Sequence, residues 1–185
     1  MVRLFEYVVP VRKMTRGEFV AAHPHPFLVA AVASDVRRQD WTFKTQTLGN
    51  IPAKLATLVA EEELTLLPGL ADFEVIPIVK ALNNPWQGHV SVGRARNNDI
   101  VLTDISVSKL HAQLRRGAAQ TCYVKDAGSR NGTRVNDVRL DAHLEVEVRV
   151  GDKITFGRAD ATFVDANSLY DLVSKYVQAP EKPVE

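Results

Sequence analysis

The feature that most narrows the fold is a series of short apolar runs, each closed off by turn residues. Ile100 to Leu102, Ala112 to Leu114 and Tyr123 to Val124 are separated by loops carrying Arg, Ser, Lys, Asn and Gly. Strands that short, with turns between them, predict a β-sandwich. The same pattern continues on both sides. Strands are expected at 73–80, 89–93, 100–102, 112–115, 121–125, 133–135, 138–140, 144–148, 153–156 and 161–164. Turns are expected at Asn83-Asn84-Pro85, Asn97-Asn98-Asp99, Arg116-Gly117, Gly128, Asn131-Gly132, Gly151-Asp152 and Gly157. This spacing fits two antiparallel sheets.

The loops collect groups that suit one kind of ligand. Arg94, Lys109 and Arg130 are fixed cations, while Ser108 and Asn131 are neutral donors. Such a set can hold a phosphate and is a binding inventory without a catalytic one. The order Gly93-Arg94, Ser108-x-x-His111, Asn131-Gly132 and then Asn136 resembles the signature of forkhead-associated (FHA) domains. The resemblance covers residues 71–165, including Asp99-Ile100-Val101-Leu102, Ser106-Val107-Ser108 and Gly151-Asp152-x-Ile154-x-Phe156-Gly157. It implies an FHA-type antiparallel β-sandwich, mainly β, that reads phosphothreonine in partner proteins.

The resemblance also implies roles. Arg94 would grip the phosphate with the paired donors of its guanidinium, where a bare surface reading would make it a solvated arginine. Gly93 would let the backbone pass close to its neighbours. Ser108 would donate to a second phosphate oxygen, and Lys109 would add backbone or ammonium donors. His111 would brace the loops rather than touch the phosphate, and no nucleophile and carboxylate are spaced around it for catalysis. Asn131 would clamp the peptide backbone, with Gly132 allowing the turn that presents it. On its own, Asn-Gly signals a hairpin and nothing more. Arg130 would add an ionic contact, and Asn136 would fix its loop. Family members choose peptides by the residue three places after the phosphothreonine. Here Gly128 to Arg130 and Arg134 to Arg139 are the candidate selectors, and Arg134 and Arg139 would favour an acid.

Composition bounds the rest. The 185 residues are 45% apolar with a formal net charge of +1, ordinary for a globular chain and without the field that would draw in nucleic acid or an acidic membrane. Cys122 stands alone, so no internal disulfide is expected. The start Met1-Val2-Arg3-Leu4-Phe5-Glu6 meets an acid and then Pro10 before a secretory core could form, and no apolar run reaches the roughly 20 residues that span a bilayer. A cytoplasmic location is the default expectation.

Three segments are expected: an N-terminal extension at 1–70, the FHA domain at 71–165, and a C-terminal helix and tail at 166–185. In the extension, Thr15-x-x-Glu18 reads as a capping box opening a short helix. Phe27 to Ala33 reads as a strand or a buried helical turn, and Trp41 to Thr45 as a strand. Asn50 caps a helix with Ile51, Leu55, Leu58 and Val59 on one face. Asn167-Ser168 caps a further helix, whose Leu169, Leu172, Val173 and Tyr176 must pack on the outer sheet or the extension.

The function expected is a non-catalytic phosphothreonine adaptor, with a Ser/Thr kinase upstream and a phosphorylated protein as partner. Neither cofactor nor metal is expected. His23-Pro24-His25 could begin a metal site but reads more simply as a polar turn. Two alternatives remain. One is an interaction scaffold that ignores phosphate, and the other an enzyme with its active part in residues 1–70, for which no Walker loop, kinase set or zinc helix speaks.

Overall fold

The computed structural model describes residues 2–31, 43–45, 73–82, 84, 88–118 and 121–177. The helix expected from Asn50 to Val59 lies outside them. In chain order the strands are β1 (Val2–Arg3), β2 (Phe27–Ala31), β3 (Phe43–Thr45), β4 (Phe73–Pro77), β5 (Val90–Gly93), β6 (Ile100–Leu102), β7 (Ala112–Arg116), β8 (Cys122–Asp126), β9 (Thr133–Val135), β10 (Val138–Arg139), β11 (Glu145–Val148), β12 (Lys153–Phe156) and β13 (Ala159–Val164). The helices are α1 (Val8–Lys13), α2 (Arg16–Ala22) and α3 (Ala166–Val177), with a 3-10 turn at Leu4–Tyr7.

Among the described residues the strands form two sheets, ordered β1-β4-β2-β13-β12-β9-β10 and β11-β8-β7-β5-β6-β3. Their pairings are antiparallel except for β5 with β6, which run parallel. Leu28, Ile76, Phe156 and Phe163 from the first sheet meet Val92, Leu102, Leu114 and Val124 from the second in one buried core. The expected two-sheet β-sandwich is thus observed.

Residues 1–70, set apart in sequence as an extension, contribute to the sandwich itself. Strand β2 lies between β4 and β13, with Leu28 opposite both Ile76 and Phe163. Its side chains alternate as a strand requires: Leu28 and Ala30 enter the inter-sheet core, while Phe27 and Val29 face a second cluster on the outer side. Because both faces are covered, the run is apolar throughout, which is why periodicity alone could not separate strand from helical turn.

The outer cluster joins Leu4, Val8, Phe19, Val75, Val164, Leu169 and Val173. The apolar face of α3 therefore packs on the outer sheet and the N-terminal segment together. Thr15 caps α2, accepting from the Glu18 N–H while the Glu18 side chain returns to the Thr15 backbone. Helix α3 begins slightly earlier than expected, since its cap is Asp165, whose Oδ1 accepts the Ser168 N–H at 2.7 Å. Helix α1 had no sequence signal strong enough to read; Pro10 sits in its first turn, where its missing donor costs little. His23-Pro24-His25 forms the link between α2 and β2, in which the His23 ring packs 4.3 Å from that of Phe19 and its Nδ1 lies 2.8 Å from the Phe19 carbonyl oxygen. No helix among the described residues is long and apolar enough to cross a membrane.

Candidate functional site

Three loops meet at one end of the sandwich: 94–99 between β5 and β6, 103–111 between β6 and β7, and 127–132 between β8 and β9. The first is anchored from beneath by two buried polar residues. Asp99 accepts from the Ser91 N–H and Oγ at 2.7 and 2.9 Å, from the Ala81 N–H at 2.8 Å and from Lys80 Nζ at 3.0 Å. Burial pushes the Asp99 carboxyl up, but these donors outweigh it and hold its pKa below the ordinary value. Asn98 Nδ2 donates to the carbonyls of Ala95 and Lys109, both at 2.7 Å, tying the first loop to the second. The approach at this joint is so close that a Cβ on Gly93 would lie 2.4 Å from the Lys109 carbonyl oxygen. Only glycine fits there.

The expected ligand groups are drawn together by these ties. The Arg94 N–H donates to the Ser108 carbonyl at 2.9 Å, and Arg94 Nε to the Val107 carbonyl at 3.2 Å. The guanidinium is thereby oriented while the residue stays exposed, and no carboxylate pairs with it among the described residues. Ser108 Oγ accepts the Arg130 N–H at 3.0 Å, so its own proton remains to be donated. Asn131 Nδ2 donates to the Ser106 carbonyl at 2.6 Å. Lys109 enters through its backbone carbonyl, and its side chain is exposed.

His111 lies underneath, fully buried. Its Nδ1 accepts the Ser108 N–H at 3.0 Å, which fixes the proton on Nε2, 3.2 Å from the Gly132 carbonyl oxygen. The neutral ring thus links the second loop to the third. Gly132 occupies the left-handed region with φ +78°, as the turn there demands. Asn136 is not brought to this cluster. It sits at the β9–β10 turn, where Nδ2 donates to Asp152 Oδ1 at 2.8 Å and Oδ1 accepts the Lys153 N–H at 3.0 Å.

Burial pushes the His111 pKa below its ordinary value, against the Gly132 carbonyl and the Asp126 charge that pull it up. An unfolded imidazole protonates near 6.5, so between there and the lower folded value the unfolded chain binds more protons. The His111 contribution is complete above about pH 6.5 and is lost as pH falls through that window. The stability gap between the native chain and His111→Asn, followed by denaturant unfolding, is therefore expected to narrow from pH 7.5 to pH 5. A gap that stays constant would contradict this.

Several residues that hold the site were not singled out from sequence. Asp126 is buried, and its carboxylate accepts from the N–H groups of Gly128 and Ser129 at 2.9 and 2.8 Å and from Ser129 Oγ and Thr133 Oγ1 at 2.6 and 2.7 Å. Its spacing ahead of Gly128 and Ser129 is that of a side chain capping its own turn, a signal available in the sequence. Ser106 accepts the Arg158 N–H on its Oγ at 2.9 Å and receives Asn131 on its carbonyl. Beside these loops runs a groove of about 530 Å3, lined by Ile105, Ser106, Arg130, Asn131, Arg134 and Arg158.

Comparison with known proteins follows the same segment. A family model described as FHA domain matches residues 90–157. The ABC transporter ATP-binding/permease protein Rv1747 of Mycobacterium tuberculosis is 41% identical over 78 residues, covering 42% of this chain and 9% of that protein. Protein FraH of Nostoc is 33% identical over 134 residues, covering 72% of this chain and 39% of FraH. The glycogen accumulation regulator GarA of Mycolicibacterium smegmatis is 35% identical over 78 residues, covering 42% of this chain and 47% of GarA. The chain thus spans less than half the length of each of these relatives. Among solved structures, the FHA-2 domain of Rv1747 is 34% identical with a TM-score of 0.37, covering 48% of this chain and 76% of that domain.

Proposed function

We propose that this chain, whose residues 90–157 match the FHA domain model, is a non-catalytic adaptor. Its loops would bind a phosphothreonine-bearing segment of a partner protein, after a Ser/Thr kinase has modified that partner. The observation that carries this reading is the pairing of Arg94 with Ser108. Two loops distant in sequence are hydrogen-bonded so that an oriented guanidinium and a free hydroxyl proton stand together, with no carboxylate pairing with them among the described residues. A phosphate bringing about −1.5 to −2 charges and three acceptor oxygens matches that vacancy of charge.

In this reading Arg94 and Ser108 hold the phosphate, Arg130 adds charge, and Lys109 does so from the loop edge. Asn131 aligns the peptide backbone through its Oδ1, its amide already being committed to Ser106. Gly93, His111 and Gly132 keep the loops in place, and Asn136 steadies the β9–β10 turn. Two of the relatives carry names of control: GarA is a glycogen accumulation regulator, and an oxoglutarate dehydrogenase inhibitor of Corynebacterium glutamicum is 35% identical over 78 residues. Calorimetry with a phosphothreonine peptide and its unphosphorylated twin tests the proposal. Measurable heat is expected from the first alone, and equal heats or none from a broad set of such peptides would defeat it.

A further inference from the structure

The 127–132 loop ends on a dipeptide with a reactivity that peptide binding does not use. Asn131-Gly132 is the single Asn-Gly pair in the 185 residues. The backbone nitrogen after an asparagine can attack the side-chain amide, and glycine has no side chain to shield that nitrogen. A hydrogen bond that must first be broken slows the reaction. Asn98 and Asn136 are held back in this way. Asn98 Nδ2 is shared between two carbonyls, and Asn136 is tied at both ends, to Asp152 and to the Lys153 N–H.

Asn131 lacks this restraint at the nucleophile. The Gly132 carbonyl accepts the Gly157 N–H and lies 3.2 Å from His111 Nε2, but the Gly132 N–H has no acceptor among the described residues. Asn131 is exposed, so solvent can supply and remove protons, and its Nδ2 is held by the Ser106 carbonyl at 2.6 Å. Arg139 adds a charge. A Cβ built on Gly132 would lie 2.7 Å from Arg139 Nε and 2.9 Å from Cζ, so the guanidinium rests against this glycine. No carboxylate pairs with Arg139 among the described residues. A cation beside an N–H favours loss of its proton, the event that makes the nitrogen a nucleophile.

We propose that Asn131 is a self-modification site, converted in the folded chain to aspartate and isoaspartate with Arg139 promoting the reaction. A solvent base takes the Gly132 proton and the nitrogen bonds to Asn131 Cγ. The Cγ–Nδ2 bond breaks, and Nδ2 takes a proton from water and leaves as ammonia. Water then opens the succinimide ring at either carbonyl, with no change of oxidation state. Both products place a carboxylate beside Arg94, Ser108 and Arg130. An anion facing the phosphate is expected to weaken peptide binding about a hundredfold, so recognition declines as the molecule ages. That consequence rests on the phosphothreonine reading above; the conversion itself does not.

The test incubates the full chain at mildly alkaline pH in water enriched in heavy oxygen and follows its peptides by mass spectrometry. Asn131 is expected to take up heavy oxygen at a rate comparable with that of the chain unfolded in guanidinium, while Asn98 and Asn136 stay intact. Arg139→Gln should slow the folded rate by about three- to tenfold, a shift of roughly half to one pKa unit from an exposed charge, and leave the unfolded rate unchanged. Asn131 surviving in the folded chain while the unfolded chain is converted overturns the proposal, and an unchanged folded rate in Arg139→Gln overturns the part given to Arg139. Converted and native fractions, separated by charge, are then titrated with a phosphothreonine peptide. Weaker binding by the converted fraction supports the loss of recognition, and equal binding overturns it. Should neither fraction bind, the phosphothreonine reading fails, while the mass record has already decided the conversion.

Discussion

Replacing Arg94 by alanine is expected to lower affinity for a phosphothreonine peptide by about a hundredfold or more while leaving the fold intact. Two hydrogen bonds to a charged group, each worth on the order of 1.5–3 kcal/mol, are lost together. At about 1.4 kcal/mol for each tenfold, even the lower end of that range reaches a hundredfold. Stability should move by no more than about 0.5 kcal/mol, because the side chain is exposed and its one side-chain hydrogen bond among the described residues is Nε to the Val107 carbonyl. Arg94→Lys should recover little, since a single ammonium cannot reproduce both the Val107 contact and a forked grip on phosphate. Calorimetry of binding alongside denaturant unfolding measures both quantities. Undiminished affinity in Arg94→Ala would show that the phosphate sits elsewhere.

Asp126→Ala should have the opposite profile, with stability falling by about 2–4 kcal/mol, since a buried donor left without an acceptor costs about 1–3 kcal/mol and several such losses do not add in full. Four donors would lose their acceptor at once: two N–H groups of the 127–132 loop and the hydroxyls of Ser129 and Thr133. Peptide binding would weaken as a consequence, because that loop carries Arg130 and Asn131. Asp126→Asn should lose less, since one oxygen still accepts. Burial pushes the Asp126 carboxyl up, but its four donors hold the pKa below the ordinary value. Its contribution is thus present above about pH 3.9 and is lost as pH falls through the lower folded value. A loss under about 1 kcal/mol in urea unfolding of Asp126→Ala would contradict this account.

The strands of the second sheet were legible because each is short, bounded by turn residues and locally patterned; β5 to β8 differ from expectation by no more than one residue at any end. The loop residues were legible by type and order, and Arg94, Ser108, Arg130 and Asn131 do come together. What could not be read is what depends on long-range pairing. Nothing local to Phe27-Leu28-Val29 says that its neighbours are β4 and β13, and both faces being covered erased the alternation that marks a half-buried strand. Arg158 was missed for the same reason, since its position in the groove comes from the β12–β13 turn meeting Ser106. Asp126 is different: its turn-capping spacing ahead of Gly128 and Ser129 is local and stands in the sequence.

The place of β2 bears on how the chain comes into being. Leu28 leaves the ribosome well before its partner Phe163, which lies in the last described strand. At about 5–20 residues per second, on the order of ten seconds of translation separate the two. Throughout that interval one side of β2 has no native strand beside it, and an apolar strand with an open edge invites pairing with other nascent chains. Closing the first sheet on that side of β2 thus waits for β13, and the burden of keeping Phe27 to Ala31 out of trouble until then falls on whatever attends the emerging polypeptide.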